Sequence, residues 1–189
     1  MRESSGGTSA RAAAIALVII ATLAGCAASG GAQAGSAELD VVDSTLVETK
    51  SPVQLLRNEA ASRVPDIVVN ELVDTTDASS SCQPTSVDPG ELARAWHSTA
   101  TLTMTNSQAA RVEVVTAQLV ASFVDQGWVA EPADAATTLT REDSLATLVV
   151  EGTAKTTADH ATIAISVTGP CVLTGGPESD EVLTLEGDA

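Results

Sequence analysis

Residues Ser98-Thr99-Ala100-Thr101-Leu102-Thr103-Met104-Thr105 put Ala100, Leu102 and Met104 on one side of an extended chain and four threonines on the other. Successive side chains of a strand point to opposite faces, so this period of two predicts a half-buried strand, starting near Ala93. β-Branched threonine suits such a pleated surface. Directly afterwards the period changes. Asn106 is placed to cap a helix in which Val112, Val115, Leu119 and Phe123 form one apolar stripe, and Gly127 is placed to stop it. A strand with one polar face, leading into a helix with one apolar stripe, decides the fold: the helix covers the apolar face and leaves the threonines on the other.

Downstream, Trp128 begins another extended segment, with its ring expected to pack over the helix end. Thr137 to Arg141 and Leu145 to Glu151 read as strands joined by Glu142-Asp143-Ser144, and Ala161 to Val167 alternates Ile163, Ile165 and Val167 against Thr162, Ala164 and Ser166. The connections among these last three strands are too short for crossover helices, so the pairing is antiparallel. Upstream, Ser51-Pro52 reads as a cap and first helical position, with Val53, Leu56, Ala60 and Val64 at helical spacing, which predicts a helix over Pro52 to Arg63. Ile67 to Val73 is expected to be a strand. Thr75 to Gly90, polar and carrying Cys82, is expected to be a loop.

The expected fold class is therefore α+β, a two-layer sandwich of about two helices on a mainly antiparallel sheet of about five strands. The globular domain is placed at 46–173 and an acidic C-terminal tail at 174–189. That tail is expected to be loose, unless Val182-Leu183-Thr184-Leu185 adds an edge strand. With 189 residues, one core is expected, and with aromatics at only 2% it must be built from Val, Leu, Ile and Ala.

A formal charge of −16 argues against nucleic acid as a partner, since the few Lys and Arg are scattered and phosphate binding requires them clustered. It also disfavours anionic lipid surfaces, so attachment to a membrane would need apolar insertion or a covalent lipid.

Arg2 and Arg11 precede the uncharged run Ala12 to Leu23, and small residues follow, the order of a secretory signal. As a helix the run would rise about 18 Å, short of a hydrocarbon core of about 30 Å. It closes on Leu23-Ala24-Gly25-Cys26, which resembles the lipobox of bacterial lipoproteins at all four positions. The resemblance implies a signal peptide over 1–25, cleavage between Gly25 and Cys26 by lipoprotein-processing enzymes, and lipid on Cys26. The small-residue stretch Ala27 to Ala37 then reads as a tether, with 26–45 forming the lipidated cysteine and flexible linker. Gly127-Trp128 at a helix end and Gly169-Pro170-Cys171 after a strand resemble small uncharacterised lipoproteins of actinobacteria. That likeness implies no activity.

With Cys26 acylated, Cys82 and Cys171 are left in a compartment that permits oxidation, and a disulfide between them is expected. His97 and His160 fall in or beside strands with no ligand at metal spacing, so no metal is expected. Gly-x-Ser-x-Gly is absent. The acidic pairs Asp74 with Asp77, Glu142 with Asp143 and Asp180 with Glu181 stand in polar surroundings unlike an acid/base couple. No cofactor and no catalytic residue is assigned.

The sequence thus predicts a lipoprotein on the extracytoplasmic face of the cell membrane, attached through lipid on Cys26. Its domain is read as a non-enzymatic binding or adaptor module for an envelope protein partner. Two alternatives stand beside it: an envelope hydrolase whose residues meet only in the fold, and a carrier of a small apolar ligand.

Overall fold

The computed structural model describes residues 41–155 and 160–187. The leader, Gly25, Cys26 and the small-residue tether lie outside the described residues.

Helix α1 spans Leu46–Ser62 and begins six residues earlier than the Ser51-Pro52 pair suggests. Its true start is a capping box: the Glu48 N–H donates to Thr45 Oγ1 at 3.4 Å, and the Thr45 N–H donates to the Glu48 carboxylate at 2.9 Å. Pro52 sits inside the helix, where its missing N–H leaves the Glu48 carbonyl without its usual partner. Both residues are on the exposed side, so water can take that bond. The buried stripe is Leu46, Thr49, Val53, Arg57 and Ala60.

A 3-10 turn at Asp66–Val68 leads into β1, Val69–Ser81, which is longer than the expected Ile67 to Val73 strand and takes up much of the expected loop. β1 pairs antiparallel along β2, Ala93–Met104, with register shifts near Val69 and Leu72. Its side chains are largely exposed, because it borders the sheet, and so its sequence lacks an apolar alternation. The predicted strand at Ala93 is β2, and Ala100, Leu102 and Met104 are buried.

After β2 the chain makes a 3-10 turn at Ala109–Arg111, and α2 spans Val112–Val124. Asn106 therefore stands too far upstream to cap it, and accepts instead from Lys155 Nζ at 2.7 Å. The expected stripe, Val112, Val115, Leu119 and Phe123, is buried, and Gly127 stops the chain at φ +87°. Then come β3 (Val129–Ala133), β4 (Ala136–Arg141), β5 (Ser144–Thr153), β6 (Thr162–Thr168) and the short β7 (Val172–Leu173). The sheet order is β1-β2-β6-β5-β4-β3, with β7 also against β2, and these strands all pair antiparallel. Among the described residues the fold is α+β with three α-helices and seven strands, more of each than the sequence predicts.

The extra helix is α3, Asp180–Gly187, in the segment expected to be a loose tail or an edge strand. Val182 and Leu185 are buried against the core, and polar contacts seal the docking. Glu186 accepts from the Ser79 N–H at 3.0 Å and hydroxyl at 2.7 Å, and Lys50 Nζ donates to the Leu185 carbonyl at 2.9 Å. The fold also reaches further back than residue 46, because Val42 bridges Val172 and its N–H donates to the Cys171 carbonyl at 2.9 Å.

One core runs from Leu46, Val53 and Trp96 through Ile163, Ile165, Val150 and Leu148 to Val115, Leu119 and Phe123. Register aligns Thr99 with Ser166 and Thr76, and Thr101 with Ala164, on the opposite side of the sheet from these residues. The helices fit the core face closely. A Cβ on Gly152 would stand 2.5 Å from Thr116 Oγ1 of α2, and one on Gly169 would stand 3.0 Å from Val53 Cγ2 of α1.

Candidate functional site

A groove of about 480 Å³ lies between α1 and the β4–β5 hairpin. That is within the range of about 300–1,000 Å³ that small-molecule sites occupy. One wall is the α1 face carrying Pro52, Val53, Leu55 and Leu56; the other is the hairpin segment from Arg141 to Ala146; Trp128 lies at its base. Ser44 and Pro170 also line it, and Glu48 and Glu59 supply acidic groups on the helix side.

The base is rigid for identifiable reasons. Gly127, in the left-handed conformation after α2, lets the chain turn so that Trp128 packs edge-on against Phe123, with ring centroids 5.6 Å apart. Arg141 lies over the Trp128 ring at 5.1 Å and pairs with Asp143; Arg63 lies over Phe123 at 4.1 Å. Arg63 also donates to the Ser122 carbonyl at 2.8 Å and pairs with Glu59, which ties the end of α1 to α2. The groove's two walls are thus cross-linked at the base. Leu55 and Leu145, by contrast, are 67% and 66% exposed on its walls.

The charge at the helix wall is acidic. Backbone hydrogen bonding from Thr45, reinforced by the hydroxyls of Ser44 and Thr45, holds the Glu48 carboxyl below its ordinary value, so Glu48 is ionised over the neutral range.

Cys82 and Cys171 are bridged, with Cα atoms 6.1 Å apart at a sequence separation of 89. The bond joins the end of β1 to the start of β7, beside Val42. His97 lies on the threonine side of β2, its Nδ1 2.9 Å from Thr168 Oγ1, and burial holds its pKa below the ordinary imidazole value. His160 is exposed just before β6. Among the described residues, the hydrogen-bond partner of His97 is Thr168, and no serine and carboxylate join it there.

The acidic pairs separate. Asp74 is exposed, whereas Asp77 accepts from Arg57 at 3.1 Å and from Trp96 Nε1 at 3.5 Å. Asp143 pairs with Arg141, and Glu181 caps α1. Among the described residues no three His, Cys, Asp or Glu side chains gather as metal ligands, and no helix is long and apolar enough to cross a membrane.

Sequence reasoning assigns Trp128 to packing, which it does, but misses that the same ring underlies a groove. The available signal is the Leu55-Leu56 doublet. Leu56 belongs to the helical stripe and Leu55 stands outside it.

What the fold and groove define is a disulfide-bridged α+β domain, built on a mainly antiparallel sheet, with a mixed apolar and charged cleft. No protein-family model, curated protein or solved structure matches the chain.

Proposed function

We propose that this chain is a lipoprotein, held on the extracytoplasmic face of the cell membrane by lipid on Cys26, whose domain is a non-enzymatic binding module. The groove over Trp128 carries the binding part of this reading: it combines a buried aromatic ring, a leucine on each wall and charged groups on both walls, a mixture of apolar surface and a few polar groups such as recognition sites use. The Leu23-Ala24-Gly25-Cys26 sequence supports the anchor, and the Cys82–Cys171 bridge suits an oxidising compartment outside the cytoplasm.

Two or three acyl chains on one cysteine account physically for durable attachment, since each buried CH₂ contributes about 0.8 kcal/mol and one chain binds only marginally. The test is cell fractionation of Cys26→Ala. The account expects the variant to leave the membrane fraction as a shed domain or to accumulate as an uncut precursor. Retention of a mature form in the membrane at the wild-type level contradicts the anchor.

A further inference from the structure

We propose that the outer edge of β1, over residues 74–77, docks an extended, basic segment of a partner protein, which joins the sheet there as an added strand. The inference rests on neither the lipid anchor nor the groove.

The two borders of the sheet differ in character. β3 is five residues long and carries Pro132, which lacks the N–H that an added strand would use. β1 is 13 residues long, contains no proline, lysine or arginine, and among the described residues pairs only with β2. Residues 70–76 are all exposed. A border strand left long and unblunted is a template for pairing with another chain.

Two hydrogen bonds fix the direction of the backbone groups. The Cys82 N–H donates inward to the Ala93 carbonyl at 2.8 Å, whereas the Ser79 N–H turns outward to the Glu186 carboxylate at 3.0 Å. Register is unbroken from Asp74 to Ser81, so the alternation of an antiparallel ladder turns the N–H and C=O groups of Thr75 and Asp77 outward too. Helix α3 thus closes the edge at Ser79 and leaves the next outward groups open. Asp77 is held in place, because its carboxylate accepts from Arg57 of α1 at 3.1 Å. Upstream, register shifts near Leu72 and Val69 bend the strand, which limits a regular added strand to a short segment.

The faces of this edge select the partner. Register sets Asp74 opposite Thr101 and Glu71 opposite Thr103, on the threonine side, and Leu72 opposite Leu102, on the core side. Among the described residues neither carboxylate has an ion-pair partner, and Leu72 is 52% exposed. Side chains of a strand alternate between faces, so the complementary segment alternates Lys or Arg with an apolar residue. Like charges on neighbouring strands repel, which disfavours an acidic segment and also a second copy of this chain, whose β1 brings the same carboxylates. Edge carboxylates guard against self-pairing, and the same charge makes the edge selective for a cation.

The experiment measures amide hydrogen exchange by NMR on the full chain in an uncharged detergent, with the acetylated and amidated peptides Lys-Val-Lys-Val-Lys, Thr-Val-Thr-Val-Thr and Glu-Val-Glu-Val-Glu. The lysine peptide alone should slow exchange at Thr75 and Asp77, by about tenfold or more, and leave Ser79, already held by Glu186, unchanged. Thr75→Pro removes an N–H that the sheet does not use, and should abolish that protection while its thermal melt matches wild type. Glu71→Lys/Asp74→Lys, at two exposed positions, should transfer the preference to the glutamate peptide, and it decides the matter if the proline variant fails to fold.

Binding of the lysine peptide without protection of Thr75 and Asp77 is charge attraction alone and overturns the proposal. Equal protection by the threonine peptide, or no binding at all, overturns it too. So does protection of the two amides with no peptide present: a rise with protein concentration marks a second copy as the occupant, and protection independent of concentration marks another segment of this chain.

Discussion

The carboxylate of Glu181, in the first turn of α3, accepts a hydrogen bond from the backbone N–H of Leu46, the first residue of α1, at 2.9 Å across 135 residues of sequence. Helix α1 is thus capped twice, locally by Thr45 and remotely by the C-terminal helix. An anion at a helix N-terminus meets both an unpaired N–H and the positive end of the helix dipole. Glu181→Ala should lower stability by about 1–2 kcal/mol, read as a shift of the urea midpoint at unchanged slope. Glu181→Gln keeps an acceptor and loses only the charge, so its loss should be smaller.

The bridge between Cys82 and Cys171 closes a long loop and pins β7 and the start of the domain to the end of β1. Replacing both cysteines by alanine should lower stability by about 2–5 kcal/mol. Mass mapping without reductant should recover the two cysteines in one linked peptide pair, and free thiols at both positions would contradict the structure.

Two glycines should respond to alanine for different reasons. At Gly127 nothing lies within 4 Å of an added Cβ, but φ is +87°, so the cost is conformational and about 1 kcal/mol. At Gly152 the added carbon meets Thr116 Oγ1 at 2.5 Å, and the strain should be about 1–3 kcal/mol. Thr116→Ala should rescue Gly152→Ala and leave Gly127→Ala unimproved, a contrast that thermal denaturation of the double variants reads directly.

Acid should weaken the fold through His97. Burial lowers its pKa below the ordinary 6.5, so the unfolded chain takes up the proton first as pH falls. The contribution is complete above the unfolded value, declines as pH drops from there towards the folded value, and is then lost. His97→Gln should flatten stability over that window while leaving the lower limb, where Glu48 and Asp88 have depressed carboxyl values set by backbone hydrogen bonds, unchanged. NMR titration of the His97 ring in the folded protein checks the direction.

The strand Ala93 to Met104, the stripe Val112 to Phe123, the β4–β5 hairpin and β6 were legible because each buries one face and exposes the other, which writes a period of 2 or of 3.6 into the sequence. Where burial comes from elsewhere, the period vanishes. Thr75 to Ser81 resembles a loop because β1 pairs on one side only, and its buried Ser79 is satisfied by Glu186 and Arg94 from distant segments. Helix α3 resembles a tail because a single turn's worth of apolar contact, Val182 and Leu185, is enough when Glu181, Glu186 and Lys50 bind across to other elements. The N-terminal turn of α1 was hidden by Pro52, which is a better start signal in isolation than the Thr45–Glu48 box that the chain uses. The groove was least legible, since a cleft between a helix and a hairpin depends on how far apart packing sets them, and no local pattern records that distance.

The central claim is tested most directly by intact mass analysis of the protein extracted from membranes of the cells that make it. The expected product is a chain that begins at Cys26 and is heavier than its amino acids by a diacylglyceryl group, with or without a further acyl chain. A chain that retains Arg2 and Arg11, or one whose Cys26 still reacts as a free thiol, contradicts it.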